Sequence, residues 1–187
     1  MRVRKLFPRF AADAKGLAAV EFALLAPVMI FLFFAVVEGS NALSASRRVT
    51  LAANTLADLA SQETRLSTDQ AEDLFEGVSQ IIAHGEIVAD VRLVSLVLDV
   101  DADKIVVHWS LDRDGGEPYA PGAEYTELAD ASILDASTSL IVGEIDYVYT
   151  PPLTRYLIPS VDFKKRASRW PRRSARVLLC ETPSTCL

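Results

Sequence analysis

From Leu17 to Val37 the chain runs for 21 residues with a single charge, Glu21. Apolar side chains occupy every face of a helix here, a surface suited to lipid and not to the core of a small domain. At about 1.5 Å rise per residue the run crosses the roughly 30 Å hydrocarbon core of a bilayer. Beyond it the period changes. Val49, Ala52, Ala53, Leu56 and Ala60 fall on one stripe, so the helix is expected to continue as an amphipathic outer half across Asn41 to Gln62. A second helix is predicted from Thr68 to His84, with Leu74, Phe75, Val78, Ile81 and Ile82 as its buried face. Ser67 and Gln70 have the spacing of a capping box at its start, His84 suits the dipole of its last turn, and Gly85 ends it. Strand patterns follow at Val91 to Val100 and Lys104 to Leu111, joined by a polar turn as an antiparallel hairpin, and at Ser139 to Tyr149. A loop rich in Gly, Pro and acids separates the last two, from Asp112 to Asp130, and a short final strand is expected at Arg176 to Cys180.

These elements predict an α+β fold: a long N-terminal helix, its inner half transmembrane, packed along its outer half on a small antiparallel sheet. The 187 residues allow one such domain beyond the membrane segment. Charge adds an orientation. Residues 1–16 carry five basic residues against one acid, and Lys164 to Arg176 carry seven against none, whereas 17–163 hold seven basic residues against 23 acids. The positive-inside rule then keeps 1–16 as a basic cytoplasmic leader and sends 38–187 across the membrane as an acidic extracytoplasmic domain, periplasmic if the membrane is a bacterial inner membrane. In an oxidising compartment Cys180 and Cys186 are expected to close as a disulfide.

Catalytic chemistry is not indicated. The two histidines are far apart, and the metal-protease helix, the nucleophile elbow and the phosphate-binding glycine loop are all missing from the sequence. Asp99, Asp101 and Asp103 open like a calcium loop, but Lys104 stands where the motif needs Gly and Ser110 where it needs Glu, so a solvated turn is expected. No enzyme, cofactor or metal is therefore predicted. The basic run KKRASRWPRRSAR could suit phosphates, but outside the cytoplasm its expected partners are anionic headgroups, an acidic protein or the domain's own acids, and not nucleic acid.

An ionisable group inside a bilayer costs roughly 2.5–3.5 kcal/mol on insertion scales and is rarely placed there without a partner, so Glu21 asks for one. Gly16 closing a basic leader, four residues, then Glu21-Phe22 and the apolar run resembles the prepilin-peptidase site of type IV pilins in its Flp and Tad form. The continuation ALLAPVMIFLFFAVVEGSNA resembles the TadE-like family of minor pilins, or pseudopilins, over roughly 16–60. The resemblance implies cleavage between Gly16 and Leu17 by an inner-membrane prepilin peptidase. It implies that Glu21, beside Phe22, pairs with the new amine of a neighbouring subunit during assembly. Other pilins, minor pilins and the inner-membrane assembly platform are then the partners, in a pilin-like protein anchored once in the inner membrane. The alternative is a single-pass anchor for a periplasmic binding or sensory domain that is never processed.

Overall fold

The computed structural model of the chain describes residues 14–82, 89–128, 134–153, 159–182 and 185–186. The leader up to residue 13, His84 and Gly85 lie outside them. The chain forms two compact units, one of Met1–Ala42 with Pro151–Pro159, the other of Leu43–Thr150 with Ser160–Leu187. Helix α1, Ala14–Gln62, is a single uninterrupted α-helix with Pro27 inside it. In the first unit none of the most apolar stretch of the run is buried.

In the second unit α1 turns its stripe inward. Val49, Ala52, Ala53, Leu56, Ala57 and Ala60 are all buried, against a four-stranded antiparallel sheet of order β3-β2-β4-β5. Its strands are β2 Ala89–Asp99, β3 Lys104–Asp112, β4 Ser139–Tyr149 and β5 Val161–Arg169. The closest approach is at Gly143 of β4, where a Cβ would meet the Ala53 carbonyl oxygen at 2.9 Å and the Ala57 nitrogen at 3.1 Å. Only glycine lets the helix settle that near the strand. Helix α2, Thr68–Ile82, completes this core with Ala71, Phe75, Val78 and Ile82. Its capping box is reciprocal: the Gln70 amide donates to Ser67 Oγ at 3.1 Å, and the Ser67 amide donates to Gln70 Oε1 at 3.0 Å.

A second, smaller sheet of order β1-β6-β7 joins β1 Arg65–Ser67 in parallel to β6 Leu178–Thr182, with β7 Thr185–Cys186 antiparallel to β6. The strand expected at Arg176 to Cys180 is thus β6 and begins two residues later, with the short β7 after it. The far face of the main sheet is also buried. Val94, Leu96, Ile105, Val107, Leu140 and Val142 form a second core with Tyr125 and Leu134 from the connection between β3 and β4. That connection docks through backbone bonds, with the Tyr125 amide donating to the Ile105 carbonyl at 2.9 Å and the Val107 amide to the Ala123 carbonyl at 2.9 Å. What reads as a polar loop is the lid of a hydrophobic core.

The largest departure from the sequence reading is β5. The basic run, expected to meet anionic headgroups, an acidic protein or the domain's own acids and given no strand, begins inside a sheet strand, paired antiparallel with β4 from Ile141↔Arg169 to Tyr149↔Val161. Lysine and arginine at successive positions hide the period-2 signal, because their long stems can line a sheet while their charges stay solvated or paired.

Candidate functional site

Gly16, Leu17, Glu21 and Phe22 all lie on α1, where residues four apart share a face. Leu17 and Glu21 are therefore neighbours along one side of the helix. Leu17 is 62 % exposed and Phe22 72 %, and Glu21 is exposed as well. No ion pair to Glu21 forms among the described residues. At Gly16 a Cβ would meet nothing within 4 Å. Glycine inside a helix costs roughly 0.5–1 kcal/mol relative to alanine, and packing gives no reason for it here. Gly39 is equally open, so the distinction of Gly16 lies in its sequence setting.

The most concentrated chemistry of the second unit is on the far face of the main sheet, and sequence reasoning missed it. Glu144 of β4 is 1 % exposed yet accepts hydrogen bonds from four side chains. Tyr119 Oη donates to Oε2 at 2.9 Å, Tyr125 Oη donates to Oε1, Arg92 Nη1 approaches Oε2 at 3.4 Å and Arg166 Nε approaches Oε1 at 3.2 Å. Pairing explains the assembly: Glu144 lies opposite Arg92 across β2 and opposite Arg166 across β5. Burial, then the charge and hydrogen bond of Glu144, push the Tyr119 hydroxyl pKa up, and the same causes raise that of Tyr125. Both phenols stay protonated donors. For Arg92 burial opposes the charge, but Asp146 and Glu144 outweigh it, and for Arg166 Glu144 does the same, so both guanidinium pKa values rise. The arrangement fixes the connection carrying Tyr119 and Tyr125 onto the sheet, and it leaves the carboxylate no face open to a ligand.

Two further arginines of the basic run are also engaged at home. Arg169 Nη2 donates to Asn54 Oδ1 at 2.8 Å, the Arg172 guanidinium pairs with Asp58, and the Arg172 amide donates to the Ser61 carbonyl at 2.9 Å. Asn54, Asp58 and Ser61 follow one side of α1, so these arginines fasten the chain after β5 to the helix. A disulfide joins Cys180 of β6 to Cys186 of β7. At the β2–β3 turn the Asp99 carboxylate accepts the amides of Asp101 at 3.1 Å and Ala102 at 3.3 Å, and Asp103 takes φ 51°. The three aspartates shape a turn. No group of three or more His, Cys, Asp or Glu residues that could hold a metal ion occurs among the described residues. A groove of about 440 Å³ lies along Ala89–Arg92, Asp112–Asp114, Asp146 and Val148, where Arg92 is already paired with Asp146 at 2.9 Å.

Comparison with known proteins bears on the N-terminal helix. No curated protein matches the chain, and no solved structure does. A family model described as TadE-like protein matches residues 16–58; it opens on Gly16, spans the exposed apolar run and ends at Asp58, within the buried stripe of α1. Its match covers Gly16, Leu17, Glu21 and Phe22. Residues 16–58 of this chain are thus similar to TadE-like proteins, a likeness that suggests an association with a Tad pilus.

Proposed function

We propose that the chain is a minor pilin, or pseudopilin, that takes part in assembling a tight-adherence type IV pilus and has no turnover of its own. In this reading residues 1–16 are a cytoplasmic leader removed by a prepilin peptidase. The helix from Leu17 to Val37 anchors the protein once in the inner membrane, with residues 38–187 in the periplasm. The observation that carries the proposal is the placing of Glu21 five residues after Gly16, at the head of a helix whose most apolar stretch has no buried residue. A carboxylate so placed is costly in lipid unless a cation offsets it, and cleavage after Gly16 would create one, the amine of Leu17. Within one chain that amine and Glu21 lie along the same side of α1; between chains they can pair head to neighbour. Pilins, minor pilins and the assembly platform are the partners that such pairing serves.

Mass spectrometry of the membrane-extracted protein tests the cleavage. The wild type should begin at Leu17, and Gly16→Leu should keep the leader. Glu21→Gln should still insert and be processed, but should no longer co-purify with other pilus subunits. A wild type that keeps residues 1–16 in cells with an active prepilin peptidase would leave an unprocessed anchor for a binding or sensory domain as the better account.

A further inference from the structure

Glu38 is the first ionisable residue after the apolar run, and it is 4 % exposed. Its Oε1 accepts the backbone amide of Leu153 at 2.8 Å. Helical side chains lean toward the N-terminus of their helix, so this carboxylate and the amide it holds lie beside the turn from Phe34 to Val37, the last of the apolar run. Exposure agrees. Phe34, four residues before Glu38 and on its side, is 38 % exposed, against 68 % for Phe31 and 64 % for Phe33. The turn that donates to Glu38 has a definite polarity: Pro151 is buried, whereas Pro152 and Leu153 are exposed, Leu153 at 57 %.

We propose that the turn Pro151–Leu153 is a lipid-contact element, seated where the apolar run ends and presenting Pro152 and Leu153 to the interfacial zone of the bilayer. The occupant follows from depth. A surface held beside Phe34 to Val37 is where a spanning helix leaves the hydrocarbon, and an uncovered carboxylate there would face lipid with no donor. The turn supplies the donor from its backbone and turns apolar side chains to the outside. This placement rests on the membrane-spanning assignment of 17–37 made above.

The test uses the full chain in phosphatidylcholine and phosphatidylglycerol vesicles, with the Cys180–Cys186 disulfide kept oxidised. A nitroxide is attached to Leu153→Cys or, separately, to Phe31→Cys, and its collisions with lipid-soluble oxygen and with a water-soluble nickel chelate are compared. The label at 153 should show an oxygen-to-nickel ratio several-fold above that of free label in buffer, and below that of the mid-span label at 31. Adding Glu38→Ala should bring the label at 153 to a water-like ratio without moving the one at 31. A water-like label at 153 with a lipid-like one at 31 overturns the proposal and leaves the span intact. Exclusion of both reagents at 153 would put the turn against protein and overturn it too. Water-like values at both positions would refute the span itself.

Discussion

Glu144 shows how a buried charge is kept in a small domain. Its carboxylate is almost fully removed from water but receives two phenols and two guanidinium groups, whose own charges are shared with Asp146 at 2.9 Å from Arg92 and Glu127 at 3.3 Å from Arg166. Removing one member of a buried pair is typically far more damaging than replacing the set, because the partners are left uncompensated. Arg92 and Arg166 each keep a second carboxylate and some solvent, so the loss here is smaller than for a sealed pair. Glu144→Gln is expected to destabilise the second unit by about 1.5–3 kcal/mol, the range for hydrogen bonds to charged groups, with the near-ultraviolet signal of Tyr119 and Tyr125 changing as the connection loosens. Urea unfolding with an unchanged midpoint would mean that the cluster contributes nothing net. His108 is the other residue whose setting is unusual. It is the extra residue of a bulge, since Ser95 pairs with Trp109 and Leu96 with Val107, and burial followed by the charge of Arg176 lowers its pKa.

Gly143 sets the fit between helix and sheet. With the Ala53 and Ala57 backbone in the way, Gly143→Ala has to push α1 outward or bend β4, and overpacking of this kind costs about 1–3 kcal/mol. Thermal unfolding of the full chain should show it, and an unaffected midpoint would mean that the helix rides less tightly on β4 than described. The elements also show what the sequence could and could not reveal. The α1 stripe, the capping box at Ser67 and Gln70, and the three strands with clear apolar content were legible because local period and local side-chain chemistry determine them. Strand β5 was not, since lysine and arginine carry no apolar alternation. The bulge at His108 was not either. Strict alternation puts Ile105, Val107, Trp109 and Leu111 on one face, but the extra residue divides them between the two cores, Ile105 and Val107 on one side and Trp109 and Leu111 on the other. The four donors to Glu144 come from two strands, β2 and β5, and a long connection, a juxtaposition that no window of sequence contains. The Gly16 and Glu21 spacing, by contrast, is wholly local and was readable at once.

At the scale of the molecule, the acidic middle and the basic C-terminal run turn out to answer each other within the second unit: Arg166 with Glu144 and Glu127, Arg169 and Arg172 with Asp58. The other molecular-scale question is compartment. A Cys180–Cys186 bridge persists where thiols are oxidised and not in a reducing cytoplasm. In protein taken from intact cells and denatured without reductant, neither cysteine should accept an alkylating reagent, and both should do so after reduction. Rapid labelling without reductant would argue for the cytoplasmic side and against the proposed topology. The outermost position of β5 in its sheet has a further consequence. An edge strand presents backbone groups that can recruit another strand, and charged residues, lysine above all, are a common guard against it. Lys164 and Lys165 sit in the middle of this edge. In a protein proposed to associate through its helix, such a guard matters: it discourages amyloid-like stacking of the domains when membrane anchoring crowds them, and so keeps self-association confined to the geometry that the helix dictates.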